Sequence, residues 1–136
     1  MRRVAGAVAA VLGLALASTA CAGAGATGVR TVELTVHHST FSVEELRVRP
    51  GETVRFVLRN TDPIPHELII GDQRVQDVHE TGTEAHHAER PGEVSVAPGK
   101  TAVTTYRFGP AGADVLFGCH LPGHWAYGMR GTIRVG

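Results

Sequence analysis

The chain is poor in sulfur, nearly without lysine and without an excess of either charge. Of its 136 residues only two are Cys and two are Met. Two thiols cannot make a disulfide framework. Basic and acidic residues number 13 each, and every basic residue except Lys100 is Arg. That balance argues against nucleic acid, which wants a basic face. A polybasic segment for anionic lipid is missing as well. No apolar run reaches the roughly 20 residues of a membrane-spanning helix. No long stretch keeps the period of an amphipathic helix, and no segment repeats. What is left is one domain with one small core.

The chain opens "MRRVAGAVAAVLGLALASTACAGAGATG". Arg2 and Arg3 precede an apolar run from Val4 to about Ala17, and small residues follow, which is the order of a secretory signal. The stretch "LASTAC" resembles the lipobox of bacterial lipoproteins, with Ser18 where an aliphatic residue is usual. The resemblance implies that Cys21 is lipidated and becomes the new N-terminus. The protein would then be exported and attached to the outer face of the bacterial cytoplasmic membrane. Cleavage after Ala22 or Ala24 would instead give a secreted or periplasmic protein, and an uncleaved anchor is a third reading. A lipidated Cys21 also explains why no second thiol is present to pair with Cys119. Residues 1–21 read as signal, 22–30 as a flexible tether and 31–136 as the folded domain. Without Arg2 and Arg3 the 13 acidic residues outnumber the basic ones by two.

Beyond the tether the pattern has period two. Val32, Leu34 and Val36 alternate with polar residues, and so do Val54, Phe56 and Leu58. Pro50-Gly51 and Pro98-Gly99 mark turns between β-rich runs. "HELIIG", "EVSV", "ADVLFG" and "GTIRV" complete a set of short strands. Strands of this length and spacing predict an all-β sandwich or barrel. One segment does not fit: residues 71–91 are polar and long for a connection in such a fold. A short helix is expected there near Val75 to His79.

The chemistry concentrates in "GCHLPGHWAYGMRG". Cys119, His124 and Met129 follow the spacing Cys-x4-His-x4-Met. Thiolate and imidazole are strong ligands and a thioether is a weak, soft one. A trigonal His₂Cys site with a distant axial Met is the arrangement of blue copper electron-transfer centres. The set needs a second imidazole, and His66 in "DPIPHELII" is the candidate. It begins a strand and shares an inward face with Leu68 and Ile70 under period two. His120 is expected to point away from the site, and His37 and His38 to be solvated.

These residues resemble the cupredoxins, the plastocyanin and azurin superfamily. Cys119, Pro122, Gly123, His124, Gly128 and Met129 match the pattern CxxPGHxxxGM, with a spacing nearest to sulfocyanin-like members. "GTI" at Gly131 to Ile133 resembles the family's last strand, and "LRVRPGETVRFVLRN" its early strand pair. The likeness covers about residues 31–136. It implies a Greek-key β-sandwich holding one copper that cycles between Cu(I) and Cu(II), bound by His66, Cys119, His124 and Met129. It also implies redox partners docking on an apolar patch at His124, Leu121, Pro122 and Trp125, with Tyr127 nearby, and a monomeric carrier that is not an enzyme. Many members carry Asn after the first His, where it ties the two ligand loops together. Glu67 stands there here, so its backbone is left to do this while its carboxylate is free to titrate or to pair with an Arg.

The histidines of the polar insertion leave other functions open. His79, His86 and His87 lie with Glu80, Glu84 and Glu89, a composition able to take a second metal such as Zn²⁺ or Cu²⁺. The same segment reads first as a solvated cover over one end of the sandwich, and otherwise as a recognition loop whose charge shifts as His titrates. With a second metal, the protein would store or deliver copper outside the cytoplasm. A binding module that has lost its metal is a further class, and the intact ligand set argues against it.

Overall fold

The computed structural model describes residues 28–82 and 90–136. Cys21, the signal, most of the tether, and Glu84, His86, His87 and Glu89 lie outside the described residues.

Strands β1 (Arg30–His37), β2 (Thr40–Phe41), β3 (Glu45–Val48), β4 (Thr53–Asn60) and β5 (His66–Gly71) are followed by helix α1 (Gln73–Thr81). Strands β6 (Glu93–Val96), β7 (Thr101–Arg107), β8 (Asp114–Gly118) and β9 (Arg130–Val135) complete the order. They form two mixed sheets, β2-β1-β4-β7 and β3-β9-β8-β5-β6. The pairings β1–β4 and β3–β9 are parallel and join strands far apart in the chain. Such returns are the mark of a Greek-key sandwich. The all-β reading of the sequence holds.

The core lies between the sheets. Leu34, Val36, Val54, Phe56 and Leu58 face Leu68, Ile70, Val94, Val96, Phe117 and Ile133. Phe41 of the first sheet meets Phe117 of the second edge to face, ring centroids 5.3 Å apart. In β4 the buried residues are those at period two, because one face meets the core and the other meets water.

Strand β5 differs: all six of its residues are buried. The outward face of β5 and β8 is covered by α1. Asp72 caps the helix, its Oδ1 accepting from the Val75 N–H at 3.0 Å. The Gln76 side chain is buried and directs its amide at the carbonyls of Ile69, Gly71 and Leu116. The polar insertion therefore begins as a lid on the outer face of a sheet, where the sequence left open a cover over one end of the sandwich. Its helix runs longer than the expected Val75 to His79.

Candidate metal centre

His66 is the first residue of β5, and Cys119 follows the last residue of β8. Neighbouring strands thus bring together side chains 53 positions apart. The remaining residues come from the 119–129 loop, which closes on itself. The N–H of Cys119 donates to the Met129 carbonyl at 3.1 Å, and the N–H of Met129 to the His124 carbonyl at 3.0 Å. Gly128 makes the return with φ 95°, a conformation costly for any residue with a Cβ.

One ligand atom each from His66, Cys119 and His124 lies within 4.8 Å of the other two. The Cys119 sulfur is 3.1 Å from His124 Nδ1, and the two imidazole rings are 4.9 Å apart. His66 and Cys119 have no exposed surface and Met129 is 2% exposed. Only His124 of the four reaches solvent in part. Met129 is thus buried and fixed by its backbone to both loop ligands.

The orientation of His66 is imposed. Its Nε2 lies 3.0 Å from Asp62 Oδ2, and its buried Nδ1 has no hydrogen-bond partner among the described residues. A carboxylate accepts, so Nε2 carries the proton and Nδ1 keeps its lone pair. A buried lone pair left bare beside a thiol and a second imidazole fits a metal ion. A carboxylate behind a ligating imidazole is the usual support for one. Burial is the main cause that holds His66 below the ordinary imidazole range, with the nearby His124 adding and Asp62 opposing.

Asp62 is the hub of this end. Its oxygens also accept the N–H groups of His38 and Ser39, each at 2.7 Å. Burial works to raise its carboxyl, but these N–H groups and the His66 ring outweigh it, so it lies below the ordinary value. The Asn60 side chain orders the approach, accepting from the Asp62 N–H and donating to the Ile64 carbonyl.

Burial pushes the Cys119 thiol up to about 12, against the N–H groups of Leu121 and Glu67, which both point at its sulfur. Binding a metal through this sulfur must therefore displace a proton. The same N–H groups stabilise the thiolate. The Glu67 backbone thus links the two ligand strands, and its side chain adds a second tie: Oε1 accepts the His120 N–H at 2.8 Å. The carboxylate is buried and pairs with this amide rather than with an Arg.

His120 points away from the three ligands, as expected. Its ring nitrogens meet Glu80 Oε2 at 2.9 Å and Gln76 Oε1 at 2.8 Å, both on α1. Trp125 stacks on His120 at 4.6 Å and packs on Gly118. It covers β8 at Gly118. Tyr127 is 92% exposed and Pro122 is exposed, while Leu121 packs against the core. His79 lies apart from the ligand set, with Nδ1 2.8 Å from the Val75 carbonyl and Nε2 3.6 Å from Glu93. Sequence reading missed Asp62; its position four residues before His66 was the available signal.

The family model of copper binding proteins, plastocyanin/azurin family, matches residues 29–136. The copper-resistant cuproprotein CopI of Rubrivivax gelatinosus is 36% identical over 111 residues, 78% of this chain and 66% of that protein. CopI of Pseudomonas aeruginosa is 29% identical over 138 residues, 78% of this chain and 76% of that one. The chain thus spans about two thirds to three quarters of these relatives' length. Among solved structures, dithionite-reduced auracyanin of Roseiflexus castenholzii superposes with a TM-score of 0.64 at 25% identity, covering 80% of this chain and 99% of that one. An azurin of Methylomonas sp. strain J shares the fold, with a TM-score of 0.61 at 18% identity over 80% of this chain and 99% of that one.

Proposed function

Because this chain belongs to the plastocyanin/azurin family of copper-binding proteins, we propose that it carries single electrons between redox partners through one copper ion. The observation that supports this reading is the bare Nδ1 of His66, buried beside Cys119 and His124. His66, Cys119 and His124 would hold the metal, with Met129 as the weak fourth ligand. Bound there, copper supplies reversible one-electron chemistry between Cu(I) and Cu(II).

The residues around it keep rearrangement small. Asp62 holds the His66 ring, and the N–H groups of Glu67 and Leu121 hold the sulfur. The buried shell excludes water, which tunes the potential. His124, the partly exposed member, is the exit for the electron. Exposed Pro122 and Tyr127, with half-buried Leu121 beside them, form the docking patch. Trp125, half-buried and stacked on His120, adjoins that patch and supports the loop. We read the protein as a monomeric carrier and not an enzyme. It is exported by residues 1–21 and held at the outer face of the cytoplasmic membrane through Cys21.

A second reading is copper storage or delivery outside the cytoplasm. The copper-resistant relatives favour it by name. Stoichiometry and reversibility separate the two. A carrier keeps one tightly held copper through repeated oxidation and reduction on an electrode. A delivery protein loses its copper to an acceptor chelator on reduction. Loss on reduction would overturn the carrier reading.

A further inference from the structure

We propose that His37 and His38 form a second, solvent-open site for a cupric ion on the far side of Asp62 from His66. The proposal holds whether the chain carries electrons or hands copper on.

The two imidazoles lie side by side at the tip of the β1–β2 hairpin, ring centroids 3.9 Å apart and planes tilted by 35°. Both residues are exposed, and the His37 side chain is 64% accessible. The His37 tautomer follows from its neighbour. Thr61 gives its single hydroxyl proton to the Val36 carbonyl at 2.7 Å. At 3.0 Å from that hydroxyl oxygen, His37 Nδ1 is therefore the donor. The neutral ring then carries its lone pair on Nε2.

The turn places both of its residues in the left-handed region, where non-Gly residues are uncommon. His37 pairs with Thr40, so the loop consists of His38 and Ser39, with φ 50° and 53°. Two-residue turns with both φ positive favour Asn-Gly, since a side chain crowds the backbone there. This chain places an imidazole in that position and holds the turn with a buried carboxylate, whose two oxygens take both turn amides. An uncommon backbone conformation kept in place by a buried carboxylate is the kind of feature found at ligand sites.

Imidazole pairs favour borderline divalent ions, and Cu²⁺ binds N-donor sites more strongly than the other first-row dications. Asp62 Oδ1 lies 3.9 Å from His37 Nδ1 and Oδ2 3.0 Å from His66 Nε2. The carboxylate thus holds His66 by a hydrogen bond and lies near His37 as a negative charge, favourable to a cation there. Water completes the coordination of the outer ion, so it exchanges readily.

The test is a Cu²⁺ titration of the full chain already holding one copper, read by calorimetry and by the cupric resonance signal. A second equivalent is expected, competed by Zn²⁺. The variant His37→Gln/His38→Asn keeps a donor toward Thr61 and places a turn-compatible residue at 38. It is expected to lose the second equivalent while keeping the thiolate–copper band of the first. In the unaltered protein with its first site already filled, a further small fraction of an equivalent of Cu²⁺ is expected to broaden the imidazole resonances of His37 and His38 before those of His79, His86 and His87. The broadening needs no variant to fold. Absence of a second equivalent, its survival in the double variant, or broadening confined to the other histidines each overturns the proposal.

Discussion

Asp62 Oδ2 lies 3.0 Å from His66 Nε2, and this one contact decides which nitrogen of His66 faces Cys119 and His124. It also couples the β1–β2 turn to the metal centre, because the same carboxylate holds the amides of His38 and Ser39. Asp62→Ala frees the ring and leaves a buried N–H without an acceptor. Copper affinity is expected to fall about 10- to 100-fold, the usual effect of losing the support behind a ligating imidazole. Competition with a chelator of known affinity measures it. An unchanged affinity would show that packing alone sets the ring.

Met129 is buried, and its backbone is bonded to both Cys119 and His124. A thioether donates weakly to the oxidised metal, so its loss disfavours Cu(II). Met129→Leu is expected to keep the colour and raise the reduction potential, as read by voltammetry. Unchanged colour and potential together would remove Met129 from the ligand set.

The metal-free protein is expected to lose stability as pH falls below 6.5. Burial keeps the folded His66 below that ordinary value. The unfolded chain then binds a proton that the folded chain refuses, and folding weakens by at most about 1.4 kcal/mol per pH unit for that one proton. The Asp62 contribution lies lower, lost as pH falls beneath its ordinary 3.8 and through its depressed folded value. Thermal unfolding of the metal-free chain between pH 7 and 5 measures the first slope. His66→Gln is expected to flatten it, and an equal slope in the variant would assign it to other groups.

Cys21 closes a signal-like leader and stands where a lipidated Cys would. Cys21→Ala is expected to move the protein from the membrane fraction to the soluble one. A membrane fraction that stays the same in the variant contradicts lipid anchoring.

Much of this was legible in the residues themselves. Val54, Phe56 and Leu58 face inward as their alternation requires, because β4 has one wet face. Strand β5 obscures the same rule: α1 buries its second face. Cys119, His124 and Met129 stood out in the sequence because one loop carries all three, and the structure brings Cys119 and His124 beside His66. His66 needed that loop for its meaning, since a lone His before an apolar strand is ordinary. Asp62 was not legible, because its partners His38, Ser39 and His66 meet only after the sheets pack. The place of Trp125, over Gly118 and His120, depends on helix α1, which holds His120 through Glu80 and Gln76; the sequence suggested a short helix but not the sheet face it covers. Glu67 shows how a substitution can keep a function: its carboxylate takes the His120 amide and still ties the loops.

The most direct measurement is a copper titration of the full chain followed by visible absorption, with Cys119→Ser alongside. The expected result is an intense thiolate-to-copper band that saturates at one equivalent, with release of the Cys119 proton, and no such band in the variant. A weak or absent band in the unaltered chain, or a band that survives Cys119→Ser, would contradict a copper centre built on His66, Cys119 and His124.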